Sequence, residues 1–518
     1  MNVTAISNTL HNLSFRKRLA VAFLGGLVTA LPMPPLTLLW PLLFIGLSAF
    51  YVALSGVTGK RAFAIGWTYG FGYFLLALFW IGNALLVPGN SFLWVWPFAV
   101  LGLPVGLAIF TGLAAYTAAR FADLKTGRGF AALGLALMVS EFLRGHILTG
   151  FPWDLFAYGW AGILPIVQSV SLIGVYGLTF LTIFWCTLPG FLLVSQASRR
   201  AAIIAAAMVI ISLGGLYGWG WHRLSSNPTQ SHDDIIVRVV QPNIPQEEKW
   251  DNSRTVPNLQ KLVWNSSADT IPDKTYAVIW PETAITDYIA TDPNASDFIR
   301  SEVFPAGRRG YLISGVQRHE QTPEGKPEYF NSLVAYDNAL HPQTIYNKSH
   351  LVPFGEYIPF QKFIPLTPIV KFSGFTPGEG VKTQLIPGFP GFSPLICYEV
   401  LFPGRVAEKT IRPEWIINVT NDSWYGNSPG PYQHLAKAVY RAVEEGLPLM
   451  RSANTGVSAI IDSYGRVQNK IAYNKEGYID APLPLPSSPQ PFYGHYRDYF
   501  TYLLFFALTA LIWITRRS

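Results

Sequence analysis

Apolar residues crowd into residues 18–221 and again into residues 498–514, whereas the stretch between them has the mixed pattern of a globular domain. The first block divides into runs of roughly 17 to 25 apolar residues, the length that crosses about 30 Å of hydrocarbon as a helix. Pro and Gly clusters separate these runs. The pattern predicts membrane spans near residues 19–34, 36–54, 62–84, 92–118, 130–147, 165–195, 201–221 and 498–514. Since residues 31–35 leave a very tight connection, the first two spans could instead be one broken helix.

The central stretch contains short β-rich runs separated by turn residues. Predicted strands lie at residues 235–240, 276–280, 311–316, 332–336, 393–396, 415–419 and 457–461. Residues 431–445 carry apolar side chains at helical spacing, which predicts a helix there. We therefore expect an α-helical transmembrane bundle plus a layered α/β domain. The expected division is residues 1–221 for the membrane domain, 222–490 for the α/β domain, and 491–518 for a last span with a short basic tail.

Composition supports a bilayer as the solvent. Half of the 518 residues are hydrophobic, 14% are aromatic and only 13% are charged. The net charge of +7 arises largely from basic residues at the ends of the predicted spans, so we do not expect nucleic-acid binding. The chain has two cysteines, of which Cys186 falls inside a predicted span. A disulfide framework is therefore not expected, and Cys397 is a candidate free thiol.

The basic residues near the span ends fall on alternate connections. They are Arg16, Lys17, Arg18, Lys60, Arg61, Arg120, Lys125, Arg128, Arg199, Arg200, Arg516 and Arg517. The opposite short loops contribute only Arg144. Because basic residues are retained on the cytoplasmic side, both termini are predicted to be cytoplasmic and residues 222–497 to lie outside. The first helix is expected to act as an uncleaved anchor.

Three predicted strands are each followed by a residue with a reactive side chain. The carboxylate Glu282 follows the strand at 276–280, the amine Lys348 follows residues 345–347, and the thiol Cys397 follows the strand at 393–396. Active sites of α/β folds commonly lie where strand ends meet at one edge of a sheet. A carboxylate, an amine and a thiol gathered in this way would suit nucleophilic catalysis by cysteine.

The residues around these three positions resemble the motifs of the nitrilase (carbon-nitrogen hydrolase) superfamily. The resemblance is carried by Trp280-Pro281-Glu282, by residues 348–356, by Cys397-Tyr398-Glu399 and by residues 421–426. Together with the membrane block, and with residues 144–153 and 241–250, these motifs resemble the apolipoprotein N-acyltransferase family. This resemblance implies a nitrilase-like α-β-β-α sandwich on the periplasmic face of a bacterial inner membrane, with Glu282, Lys348 and Cys397 as a catalytic triad.

In that family the donor is a phospholipid and the acceptor is the free amine of the diacylglyceryl-cysteine of an apolipoprotein. The expected chemistry is ping-pong: Glu282 takes the thiol proton, Cys397 attacks the ester carbonyl, and a thioester remains for the amine to attack. Lys348 and the backbone N–H after the nucleophile would stabilise the oxyanion. No metal and no organic cofactor are needed for these steps.

The resemblance also makes Glu356 and Glu399 candidate supporting carboxylates. The alternatives are that Glu356 merely closes a turn and that Glu399 is a buried, paired carboxylate. Tyr398 either packs beside the nucleophile or fills the core. The resemblance makes Trp250 a candidate for holding substrate, with ordinary packing as the alternative, and Asn331 is a weaker candidate.

A lipid donor needs a route from the bilayer to the site. Residues 360–375 are too apolar for a typical exposed loop and are a candidate mobile lid. Residues 151–160, which include Trp153, are either an interfacial aromatic belt or a floor beneath the catalytic domain. Arg144 is a candidate ligand of the lipid phosphate, with a structural bond to Glu141 or Asp154 as the alternative.

Two other functions compete with acyl transfer. A membrane-anchored amidase would use the same triad to hydrolyse a small substrate, but it needs neither seven preceding spans nor an apolar lid. A non-catalytic scaffold or transporter is disfavoured by the intact triad and by the scarcity of charged residues within the spans.

Overall fold

The computed structural model describes residues 13–87, 93–195, 197–267, 273–286, 292–305, 308–357 and 374–514. The chain forms two compact units. The first comprises Met1–Leu85, Leu93–Asn227 and Phe492–Ser518, and the second comprises Leu86–Phe92 and Pro228–Pro491.

The first unit is helical, and each predicted span overlaps a helix. The main helices are Phe15–Ala30, Leu42–Leu54, Gly59–Leu78, Trp96–Phe121, Gly127–Arg144, Val170–Val194, Arg199–Ser226 and Tyr499–Ile514, with short helices at Leu164–Val167 and Phe492–Tyr496. Among the described residues, four helical segments are long and apolar enough to cross a bilayer: Gly59–Leu85, Leu93–Phe121, Val170–Val194 and Arg199–Ser226. Leu42–Leu54 and Tyr499–Ala510 are shorter apolar helices within the described part of the chain.

The first two predicted spans are separate helices, so the broken-helix alternative is wrong. Phe15–Ala30 and Leu42–Leu54 pack against each other. Glycine permits this approach, because a Cβ on Gly46 would lie 2.6 Å from the carbonyl oxygen of Gly25 and 2.1 Å from the hydroxyl of Thr29. The tight connection at residues 31–41 reverses the chain through a short 3-10 turn, Thr37–Leu39.

The second unit contains two β-sheets. The strands are β1 Ser231–Gln241, β2 Thr275–Ile279, β3 Arg309–Gln321, β4 Pro327–Tyr336, β5 Pro342–Asn347, β6 Phe392–Ile396, β7 Trp415–Thr420, β8 Leu449–Ala453, β9 Ser458–Ile461, β10 Val467–Ile471 and β11 Gly477–Pro484. One sheet has the order β11-β1-β2-β3-β4-β5, and the other has the order β10-β9-β8-β7-β6. The seven strands predicted from β-rich runs are confirmed, and residues 345–347 form the end of β5, whereas β8, β10 and β11 were not predicted.

Apolar packing explains the layering. One buried cluster, which includes Val237, Ile279, Ile396 and Ile417, draws residues from both sheets and fills the space between them. A second cluster joins the opposite face of the six-stranded sheet to the helices Thr255–Ser267 and Pro293–Val303. The predicted helix at 431–445 is confirmed as Gly430–Glu445, which packs against the five-stranded sheet. The unit is therefore an α-β-β-α sandwich, as expected.

The directions of the strands determine which strand ends lie at the same edge of a sheet. β1, β2 and β3 are parallel, and β5 runs in the same direction as β3 because each is antiparallel to β4. The carboxyl ends of β2 and β5 therefore share one edge of their sheet. In the facing sheet β6, β7 and β8 are parallel as well.

Candidate active site

The residues that follow β2 and β5 meet in a buried cluster. Lys348 Nζ lies 3.6 Å from Glu282 Oε1, and both side chains are at least nine-tenths buried. Cys397, which follows β6, is 8% exposed and interacts electrostatically with both of them. The structure thus brings together the three strand-end residues singled out in the sequence.

The carboxylate of Glu282 is held from two sides. Asn331 on β4 donates from Nδ2 to Glu282 Oε1 at 2.8 Å, and the backbone N–H of Asn421 donates to Oε2 at 2.8 Å. Lys249 donates from Nζ to the main-chain oxygen of Glu282, also at 2.8 Å. Gly315 on β3 allows the turn to approach, since a Cβ there would lie 2.5 Å from the Cα of Glu282. Both carboxylate oxygens therefore have fixed directions before any substrate binds.

Lys348 is paired with two carboxylates. Its Nζ lies 2.9 Å from Glu356 Oε1 in addition to its contact with Glu282. Burial lowers the pKa of Lys348, but the charges of Glu356, Glu282 and Cys397 outweigh burial and raise it above its ordinary value. The side chain is therefore a permanent ammonium at neutral pH.

Glu356 closes the turn after Lys348 and also pairs with the ammonium group of that lysine. Its Oε2 accepts a hydrogen bond from the backbone N–H of Val352 at 2.8 Å, which closes the turn after Lys348. Its Oε1 accepts from Lys348 at 2.9 Å and from Asn331 at 3.1 Å. The turn and the cation are thus fixed by one carboxylate.

Cys397 is presented on an unusual backbone. It begins a 3-10 turn, Cys397–Leu401, with φ of 51°, in the left-handed region. A non-glycine residue there costs of order 1–3 kcal/mol, and such conformations cluster at functional sites. Burial and then the Glu282 carboxylate raise the pKa of the Cys397 thiol to about 12, against the opposing charge of Lys348. The resting group is consequently a thiol that needs a base to become a nucleophile.

Glu399 connects the nucleophile turn to the lysine loop. Its Oε1 accepts hydrogen bonds from Tyr346 Oη at 2.6 Å, from the backbone N–H and hydroxyl of Ser349 at 2.8 Å each, and from the backbone N–H of His350 at 3.1 Å. Its Oε2 accepts from the backbone N–H of Ile396 at 2.8 Å. Burial raises the pKa of Glu399, although these donors oppose the shift. Glu399 is thus a buried and fully engaged carboxylate beside the candidate nucleophile.

The aromatic candidates differ in exposure. Tyr398 is 5% exposed, and its ring lies 5.6 Å from that of His350 and 5.2 Å from that of Phe402. The ring is therefore buried among aromatic neighbours, on the residue that follows Cys397 in the chain. Trp250 follows the short helix Gln246–Lys249 and is 39% exposed, so it remains accessible to a substrate.

Arg144 and Trp153 belong to the helical unit. Arg144 ends the helix Gly127–Arg144 rather than lying on a loop, and its side chain is buried. Its Nη2 lies 2.6 Å from Glu141 Oε2, and its Nη1 donates to the carbonyl oxygens of Phe151 and Trp153 at 2.6 and 2.7 Å. The structural bond to Glu141, the alternative to a lipid-phosphate contact, is therefore present.

The aromatic residues of the segment 151–160 are mostly internal. Trp153, Phe156, Tyr158 and Trp160 are each at most 2% exposed. An interfacial belt has to face the bilayer, so that interpretation of the segment is wrong. Most of the candidate lid, residues 360–375, lies outside the described residues.

Several residues of this site were not anticipated as participants. Lys249 lies within the segment 241–250, and Asn421 and Asp422 lie within a quoted motif, so the signal for them was present. His434 and Arg451 stand singly on a helix and on β8, with no local pattern to mark them. Only the packing of the sandwich brings these two beneath the nucleophile.

Comparison with known proteins agrees with this architecture. Residues 25–188 match the sequence model of the family described as "Apolipoprotein N-acyltransferase N-terminal domain", and residues 236–489 match that described as "Carbon-nitrogen hydrolase". The chain is similar to proteins named apolipoprotein N-acyltransferase. It is 38% identical to that of Rhodopseudomonas palustris over 91% of this chain and 90% of the relative. It is 38% identical to that of Bradyrhizobium diazoefficiens over 97% of this chain and 95% of the relative. It is 37% identical to that of Brucella melitensis over 91% of each chain. The chain therefore belongs to the apolipoprotein N-acyltransferase family.

Proposed function

We propose that this enzyme transfers a fatty acyl chain from a phospholipid to the N-terminal amine of the diacylglyceryl-cysteine of apolipoproteins, the last step of lipoprotein maturation. Cys397 carries the acyl group as a thioester. The observation that carries the proposal is the buried cluster of Glu282, Lys348 and Cys397 in a chain that also contains long apolar helices.

The first half-reaction forms the thioester. Glu282 accepts the proton of Cys397, and the sulfur attacks the ester carbonyl of the phospholipid. Negative charge then develops on the carbonyl oxygen, where Lys348 and the backbone N–H of Tyr398 stabilise it. The carbon–oxygen bond then breaks, and Glu282 gives its proton to the departing oxygen. The lysophospholipid leaves, and Glu282 is again a carboxylate.

The second half-reaction uses the same groups. The acceptor amine attacks the thioester carbonyl and gives its proton to Glu282, which returns it to the departing sulfur. An amide is formed and the thiol is restored, so no proton is gained or lost over the cycle. Burial of the cluster limits access of water, which would otherwise hydrolyse the thioester.

The proposed setting is a bacterial inner membrane, with the sandwich in the periplasm and both termini in the cytoplasm. This orientation is supported by the basic residues on alternate connections, including Arg61, Arg120 and Arg199. We extend the proposal to Trp250, whose exposure beside Lys249 suits contact with a substrate chain.

The test is the intact mass of the purified full-length protein after incubation with phospholipid. Wild type is expected to gain an acyl mass that hydroxylamine removes and that a diacylated lipopeptide with a free amine discharges. Cys397→Ala is expected to gain none. If wild type gains no acyl mass but hydrolyses small amides, the proposal fails in favour of the membrane-anchored amidase.

A further inference from the structure

The main-chain oxygen of Cys397 has a buried partner. His434, on the helix Gly430–Glu445, is fully buried, and its Nε2 lies 3.2 Å from the carbonyl oxygen of Cys397. This carbonyl belongs to the residue whose φ is 51°. The contact therefore joins the helical layer to the strained backbone that presents the thiol.

The other side of the imidazole meets an ion pair. His434 Nδ1 lies 2.9 Å from Asp422 Oδ1 and 3.0 Å from Arg451 Nη2. Arg451 Nη2 is in turn 2.7 Å from Asp422 Oδ2, and Arg451 also donates to the side chain of Asn418. His434, Asp422, Arg451 and Asn418 are all fully buried. This arrangement ties the ring to β7, to β8 and to the turn after β7.

The partners determine which ring nitrogen carries hydrogen. A carbonyl oxygen only accepts, so Nε2 must donate to Cys397. In the neutral ring, Nδ1 then accepts from the guanidinium of Arg451. In the protonated ring, Nδ1 instead donates to Asp422. Both states keep the Nε2–H that faces Cys397.

The electrostatics favour the neutral ring. Burial lowers the pKa of His434, Arg451 lowers it further, and Asp422 opposes them. Burial raises the pKa of Asp422, but the charge of Arg451 is the largest opposing effect, and the value falls to about 2. Asp422 is therefore an anion whose charge is neutralised by Arg451. The imidazole of His434 does not have to carry a positive charge to balance Asp422.

We infer that His434 is a positioning residue for the nucleophile: its Nε2–H holds the carbonyl oxygen of Cys397 and with it the left-handed backbone that presents Sγ to Glu282 and the substrate. The inference rests on the proposed function in one respect, which is that Cys397 is the residue acylated. His434 contacts the backbone of Cys397 and takes no proton from the reaction.

A positioning role makes a specific kinetic prediction. A misplacement of the reacting atom by about 1 Å can cost roughly 10²-fold in rate. Loss of the Nε2–H is therefore expected to lower the rate of acylation by about 10²-fold, with the apparent KM for phospholipid unchanged. A purely structural role would lower the Tm without this separation of kcat from KM.

The experiment compares His434→Gln with His434→Met in the purified full-length enzyme supplied with phospholipid. The Gln side chain keeps an N–H near the position of Nε2, whereas Met fills a similar volume without a donor. Single-turnover acylation, followed by intact mass, is expected to be slow for Met and largely restored for Gln. Arg238→Met is the matched control, because Arg238 is fully buried and pairs with Asp480 within the six-stranded sheet, whereas Arg451 lies on the five-stranded sheet. It is expected to lower the Tm while leaving the acylation rate near that of wild type.

Alkylation of Cys397 by iodoacetamide, mapped by mass, tests the positioning role of His434 independently of the proposed acyl transfer. If wild type carries no acyl group, the proposed function fails, and slower alkylation of the Met variant than of the Gln variant still supports the inference. Wild-type rates of acylation and alkylation in His434→Met would overturn the inference. Equal rates for the Gln and Met variants, at equal Tm, would overturn it as well.

Discussion

Asn331 donates a hydrogen bond to Glu282 at 2.8 Å, so a side chain on β4 orients the carboxylate that follows β2. The same amide reaches Glu356 at 3.1 Å. One residue therefore sets the distance between the proposed general base and the carboxylate that anchors Lys348. Asn331 was the weakest of the sequence candidates, and the structure places it at the centre of the site.

Asn331→Leu is expected to lower the acylation rate by roughly 10- to 100-fold, because Glu282 loses the donor that orients Oε1. The free energy of unfolding should fall by about 1–3 kcal/mol, since buried acceptors lose a partner. Single-turnover acylation and thermal unfolding measure the two effects. Ser332→Ala is the control, as Ser332 is buried on the same strand but bonds to Asn347. A Leu variant as fast as wild type would contradict the assignment.

Glu282→Gln is expected to have opposite effects on two reactions of Cys397. Acyl transfer should fall by about 10²- to 10⁴-fold, because the general base is lost. Alkylation by iodoacetamide at pH 9 should become faster, because removing the negative charge lowers the pKa of Cys397 from about 12. The rate of alkylation against pH, measured on both proteins, tests the second effect. Parallel changes in the two reactions would show that the variant acts through misfolding.

Lys249 is expected to make stability depend on pH. Burial lowers its pKa from 10.5 to about 8, against the opposing charges of Glu282 and Cys397. Between these two values the unfolded chain binds the proton and the folded chain does not, so the free energy of unfolding rises with pH. The slope is at most about 1.4 kcal/mol per pH unit. The Tm of wild type relative to Lys249→Met should therefore increase from pH 8 to 10.5, and a constant difference would contradict the expectation.

Glu399→Gln is expected to destabilise the sandwich and to slow acylation. The carboxylate accepts from five donors, and an amide would present its own N–H groups to some of them. A loss of about 2–4 kcal/mol follows if two of these hydrogen bonds fail. Glu379→Gln is the matched control, because Glu379 is exposed and pairs with Lys382 at the surface. Equal Tm values for the two variants would argue against a connecting role for Glu399.

Much of the fold was predictable because it follows from local pattern. Apolar runs of sufficient length predicted the helices of the first unit, and β-rich runs predicted seven strands of the sandwich. Two of the three missed strands lack that pattern: β10 is mostly exposed, and β8 is fully buried yet contains Arg451. Their pairing with neighbouring strands, rather than their composition, makes them strands.

The sequence by itself determined the membrane block, the layered domain and the three strand-end residues, because each of these is marked by residues adjacent in the chain. Only the tertiary structure decided that Arg144 pairs with Glu141 within the helical unit and that most aromatic side chains of 151–160 are buried. It also decided that His434 lies beneath Cys397, 37 residues away in the chain. The physical reason is that such contacts depend on how helices and sheets pack, and packing joins residues that no local pattern connects.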